Sequence, residues 1–89
     1  MWLVKYSAEA AYYVDHNLPY ILDLMLAIAR LMFTTNGKPT EGTLERLEGG
    51  HYRWLIAQHE VIIKIEATQT LIELIHLQSD DDLLQLFKA

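Results

Sequence analysis

Few side chains in this sequence are of the kind that does chemistry, and their spacing narrows the choices. The histidines are His16, His51, His59 and His76. None stands in an HxH or HExxH arrangement, so the spacing that gathers zinc ligands is missing. There is no cysteine, which removes disulfides, thiolate metal sites and Cys/His nucleophiles. No Ser/His/Asp set is present, and Gly49-Gly50 alone reads as a turn rather than a phosphate-cradling loop. Asp80-Asp81-Asp82 is a run of potential divalent-ion ligands. Consecutive acids at a helix start are better explained by the helix dipole and by solvation. No metal or cofactor is therefore expected. Trp2, Tyr6, Tyr52 and Trp54 offer rings on which bases could stack. Without clustered Lys and Arg around them, core packing is the better account. His16, His51 and His59 are expected in solvent or in turns.

Net charge sets a further limit. The 89 residues carry a formal charge of −5. Residues 1–40 balance, with Lys5, Arg30 and Lys38 against Glu9, Asp15 and Asp23. Residues 41–89 set Arg46, Arg53, Lys64 and Lys88 against nine acids and hold the whole imbalance. A phosphate-binding surface needs the opposite sign. A chain this short makes one domain, spanning 1–89. Its 52% apolar content is high for so small a body and points to surface covered by a partner. The start Met1-Trp2-Leu3-Val4-Lys5 does not read as a signal peptide. The apolar run from Leu18 to Phe33 falls short of the ~20 residues a membrane helix needs, and Asp23 and Arg30 interrupt it. With no cysteine, a reducing cytoplasmic setting is the expectation.

The positioning elements follow from periodicity and punctuation. Trp2 to Tyr6 reads as a strand, and Ser7 as the N-cap of a helix from Ala8 to His16. Asn17-Leu18-Pro19 breaks the chain, and Asn17 is expected to cap a second helix with Pro19 in its first turn. That helix runs to about Phe33. Asp23, Ala27, Arg30 and Thr34 form its one narrow stripe, and nearly every other position is apolar. Either the helix is sandwiched in the fold or part of it docks on another chain. Thr34 to Gly42 is a loop. Thr43 to Leu47 reads as a strand, and His51 to Ala57 as another, with Tyr52, Trp54 and Ile56 on one face and His51, Arg53 and Leu55 on the other. Gln58-His59 is the expected hairpin connection. Glu60 to Ala67 alternates Val61, Ile63 and Ile65 with Ile62, Lys64 and Glu66. A turn near Thr68-Gln69 leads to a last strand, Thr70 to Leu77. Ser79 then caps a short helix carrying Leu83, Leu84, Leu86 and Phe87. Short links between consecutive strands imply an antiparallel meander of three or four strands, beside the N-terminal strand. The class is α+β.

This order resembles the RelE/ParE superfamily of bacterial toxins. The resemblance is sharpest in Leu47-Glu48-Gly49-Gly50-His51-Tyr52-Arg53-Trp54, in Ala57-Gln58-His59-Glu60-Val61-Ile62-Ile63-Lys64-Ile65, and in Ile72-Glu73-Leu74-Ile75-His76. It implies a small cytoplasmic toxin neutralised by an antitoxin protein. RelE-like members cut mRNA on the ribosome and ParE-like members act on DNA gyrase. By the resemblance, Arg53 matches an arginine that contacts RNA phosphate, and His76 matches a histidine of some members. Glu60 stands where the family usually has arginine, and Leu77 replaces an arginine after His76. The C-terminal segment lacks the tyrosine of many members. Glu45 and Glu48 occupy the region where ribonuclease members place lysines.

RNA cleavage needs a proton taken from a 2′-hydroxyl, charge stabilised on the phosphorane, and a proton given to the leaving oxygen. Arg53, Lys64 and His76 are the residues left to do this. Glu60, Glu66 and Glu73 would repel phosphate. Arg53 is read either as a phosphate ligand or as an ion-pair partner of Glu66 or Glu73. His76 is read either as a general acid or base or as a strand-end residue. Three functions follow. The first is a toxin-like protein working through contacts with an antitoxin, which would cover the 18–33 helix or the last helix. The second is a ribosome-dependent mRNA endonuclease. The third is a degenerate homologue kept as an oligomerising or decoy module, with the 18–33 helix as the homo-oligomer contact.

Overall fold

Alternating side chains in the second half of the chain build a sheet. The computed structural model describes residues 1–78. Its elements in chain order are β1 (Leu3–Tyr6), α1 (Ala8–Asn17), α2 (Leu22–Arg30) continued by a 3-10 turn (Leu31–Phe33), β2 (Thr43–Arg46), β3 (His51–Ile56), β4 (His59–Ile65) and β5 (Gln69–Leu77). The strands form one five-stranded sheet in the order β1-β5-β4-β3-β2. β2 to β5 are an antiparallel meander, and β1 lies parallel to β5 at one edge. The class is α+β, with the helices on one side of a mixed sheet. The expected cap at Ser79, the acids at 80–82 and the last helix lie outside the described residues. No helix among those described is long and apolar enough to cross a membrane.

The core forms where the inward faces of strands and helices meet. Trp54, Val61, Ile63, Ile72 and Ile75 of the sheet pack with Ala10, Ile21, Leu24, Ala27, Ile28 and Leu31 of the helical layer. Each strand contributes alternate residues, as period two requires. β5 breaks that rule once. The register shifts between the pairs Ile62↔Leu74 and Ile63↔Ile72, so Glu73 is one residue extra in β5.

Ser7 is a joint between three elements. Its Oγ accepts from the Ala10 amide at 3.0 Å, which caps α1, and donates to the Glu73 carbonyl at 2.6 Å, which fixes the cap to β5. The expected role of Asn17 is corrected. Asn17 ends α1, and its Nδ2 donates back to the Tyr13 carbonyl at 2.7 Å. Proline at 19 holds Leu18 extended, with ψ at 142°, so the chain leaves the helix and needs a turn before α2 starts at Leu22. The stripe Asp23, Ala27, Arg30 and Thr34 does not lie on one surface, because Ala27 within it is buried in the core while Asp23 and Arg30 are exposed. Among the described residues nothing sandwiches the helix. Leu22, Leu26 and Phe33 on its outer side are exposed.

The loop between α2 and β2 is held by a buried hydroxyl. Thr70 is fully buried; its Oγ1 accepts from the Trp2 indole at 2.8 Å and donates to the Gly37 carbonyl at 2.9 Å. Gly37 has φ of +73°, and a Cβ there would collide with the Trp2 ring and the Thr70 hydroxyl. Trp54 closes the other end of the loop by donating from its indole to the Glu41 carbonyl at 2.9 Å. Replacing Thr70 by Val keeps the shape and removes both hydroxyl bonds. Urea unfolding is expected to show a loss of about 1–3 kcal/mol for Thr70→Val, the cost of leaving buried partners unmatched. An unchanged midpoint would show that the hydroxyl does not hold the loop.

Candidate functional site

The sheet face away from the helices carries the three residues singled out by sequence. Arg53 on β3, Lys64 on β4 and His76 on β5 all project from it, because β3 to β5 pair Arg53↔Ile62↔Leu74, His51↔Lys64↔Leu71 and Leu55↔Glu60↔His76. The structure brings two of them together and leaves the third apart. Arg53 Nε and His76 Nε2 each lie 3.6 Å from the Glu60 carboxylate, one on either oxygen. Lys64 stands one row along, with its Nζ 3.6 Å from Glu66.

Arg53 is clamped between acids. Its Nη1 lies 3.3 Å from Glu45 on β2, and Glu60 lies on its other side. The expected partners Glu66 and Glu73 are corrected here, and the register gives the reason. Glu45 is directly opposite Arg53, Glu60 is diagonal to it, and Glu66 lies past the end of β4. Glu73 instead meets His51, whose Nε2 is 3.0 Å from its carboxylate. Arg53 Nε is buried without a hydrogen bond, since 3.6 Å is too long for one.

The electrostatic result is plain. Lys5, Arg53 and Lys64 share this face with Glu45, Glu60, Glu66 and Glu73. A phosphate approaching Arg53 must displace a carboxylate and sit beside another. What the cluster offers chemically is a carboxylate and an imidazole side by side next to a fixed guanidinium. Those are the groups that move protons and hold developing negative charge. Among the described residues, no three of His, Asp and Glu gather closely enough to hold a metal ion. The aromatic residues do not form a stacking surface. Trp54 is in the core, Tyr6 and Tyr52 pack against it, and the Trp2 indole is engaged with Thr70.

A second constellation escapes a reading by sequence. His59 was expected in a turn and is only 5% exposed. The hairpin turn falls one residue earlier than expected, at Ala57-Gln58, which puts His59 into β4 on the same side as Val61 and Ile63. Both turn residues take left-handed backbone, with φ of 50° and 64°, a conformation usually filled by Asn-Gly. His59 Nδ1 lies 2.8 Å from the Ala57 carbonyl, which only accepts, so this nitrogen carries the proton. Nε2 shares a hydrogen bond with the Tyr13 hydroxyl at 2.9 Å. Burial pushes the Tyr13 hydroxyl above its ordinary pKa and keeps it protonated. The pair lines a cleft of about 460 Å³ shared with Asn17, Tyr20, Asp23, Gln58 and Leu77. The signal in the sequence was parity, since His59 shares its face with Val61, Ile63 and Ile65. Of the other two histidines, both expected in solvent or turns, only His16 is exposed. His51 opens β3 beside Glu73, and His16 is exposed, stacked on Tyr12 at 3.8 Å.

If the acids mask Arg53, removing their charge uncovers it. A Glu45→Gln/Glu60→Gln variant is expected to bind a short labelled single-stranded RNA about tenfold more tightly than wild type at low salt, and the gain should fade as salt rises. Fluorescence anisotropy reads both. Equal affinities would show that the carboxylates do not shield the guanidinium.

Compared with known proteins, the chain finds no counterpart: no protein-family model, no curated protein and no solved structure matches it.

Proposed function

We propose that this chain is a toxin-like component of a type II toxin–antitoxin system, a divergent RelE/ParE-like protein of the cytoplasm that works through contacts with a cognate antitoxin. The observation that carries the reading is the division of its surface. The open sheet face has its arginine held between carboxylates, whereas the helical side exposes large apolar groups around the α1–α2 connection. Tyr12, Leu18, Tyr20 and Leu22 all stand in solvent there, and Tyr20 lines the His59 cleft. A patch of this kind is a contact for another protein. An acidic chain selects a basic partner segment.

Co-expression with the product of the neighbouring open reading frame tests it. The two proteins are expected to co-purify, and the chain alone is expected to slow growth. Tyr20→Glu with Leu18→Glu should weaken the complex by roughly tenfold or more, since a charge would enter its apolar centre. A chain that is harmless alone and binds no such product sinks the proposal.

A second reading draws on the meeting of Arg53 and His76 at Glu60. It is a ribosome-dependent mRNA endonuclease, with Arg53 binding phosphate and the Glu60–His76 pair moving protons. Lys64 takes no part in that cluster. Overproduction of wild type is then expected to create new mRNA ends, and Arg53→Ala to abolish them. Identical ends with and without the wild-type protein would eliminate the enzyme.

A further inference from the structure

The outer side of α2 carries a pattern that matches itself. Leu22, Leu26, Ala29 and Phe33 follow at spacings of 4, 3 and 4, and all four are exposed, Leu26 at 57% and Phe33 at 78%. At 3.6 residues per turn they form one line along the helix and its 3-10 extension. The buried line of Leu24, Ala27, Ile28 and Leu31 lies on the opposite side. Asp23 and Arg30 are two turns apart on one flank of the exposed line, and Met25 and Met32 are on the other. Asp23 makes no ion pair among the described residues. Arg30 is bound to Glu41 through Nη1 alone, at 2.8 and 2.9 Å, which leaves the rest of its guanidinium available.

We propose that the free chain pairs with a second copy of itself through this face, the two α2 helices running antiparallel. A twofold axis through the middle of the line puts Asp23 of one copy and Arg30 of the other on the same flank, about 3 Å apart along the helix axis and within reach of the long guanidinium side chain, and does so twice. It also brings Leu26 against Ala29, where the small side chain lets the helices approach closely. Leu22 then meets Phe33. Parallel pairing would set Asp23 and Arg30 against the methionine flank and lose both charge pairs. The charge pattern therefore identifies the occupant as another copy of the chain rather than an arbitrary apolar segment. The pairing goes beyond the antitoxin reading and stands independently of it, since it needs no other protein. Leu22 belongs to both faces, so an antitoxin seated on it would have to displace the second copy.

Size-exclusion chromatography with light scattering tests this on the purified chain alone. At tens of micromolar the mass is expected to be twice the monomer value of 10.3 kDa. Leu26→Glu is expected to be monomeric and folded, because Leu26 is exposed in the single chain and its loss costs no core. Circular dichroism confirms that it is folded. Asp23→Lys and Arg30→Glu are each expected to weaken the dimer by about tenfold, through like charges facing each other. Mixed in equal amounts, the two variants recover a dimer, because each supplies what the other lacks. A wild-type monomer at several hundred micromolar overturns the proposal. So does a dimer that survives Leu26→Glu, or a mixture no stronger than either variant alone. None of these results bears on antitoxin binding, which the co-expression experiment reads separately.

Discussion

The helical layer covers one face of the sheet and leaves the other face in water, and from this the two halves of the molecule take their character. Trp54 marks the boundary. It is fully buried on β3, between Leu44 of β2 and Val61 of β4, and its indole donates to Glu41 in the loop that closes the helical side. A buried tryptophan supplies the largest apolar surface in so small a core, and its N–H requires the partner it has. With the inward face committed to packing, every charged residue of β3 and β4 must project outward. That is why Arg53, Glu60 and Lys64 share one surface, whatever that surface does.

On that surface, proximity decides against free charge. Arg53 is about one-third exposed, and Glu60 less. At such depth the interaction with two carboxylates is screened less than at a fully wet site, so the guanidinium is held more firmly than an ordinary surface ion pair holds it. The helical side has the reverse character. Its large exposed groups include leucine, tyrosine and phenylalanine, and on α2 the charges Asp23 and Arg30 sit to one side of them. The molecule thus separates an electrostatically satisfied sheet face from an apolar helix face, and the second is the one with unmet affinity.

Much of this was legible in the sequence. Alternation in 51–57 and 60–67 gave the two central strands, their faces and the antiparallel order, because period two leaves little freedom once one face is buried. Ser7 announced its helix by chemistry that acts over three residues. Placing Arg53 and Lys64 on one face also needed only parity, whereas His76 joins them through the bulge at Glu73, which parity does not foretell. What failed depended on contacts distant in sequence or on turns that break their own rules. The partners of Arg53 follow from a register that no single strand encodes. The Ala57-Gln58 turn has neither the asparagine nor the glycine that usually marks such a bend, so the sequence reads the hairpin one residue late and assigns His59 to the turn instead of the core. Asn17 carried a cap-like side chain, but proline two residues later forced the chain out of helical geometry before a second helix could begin.

Glu73 has one more effect, on how the strand is counted. Before it, the even-numbered residues Thr70 and Ile72 face the core; after it, the odd-numbered Ile75 does, and His76 faces out. Were the same residues to run on without the bulge, strict alternation from Ile72 would carry the imidazole to the interior in place of Ile75. A correspondence drawn between His76 and a histidine of an unbulged strand therefore has to open a gap of one position at 73. Without that gap, surface would be equated with core.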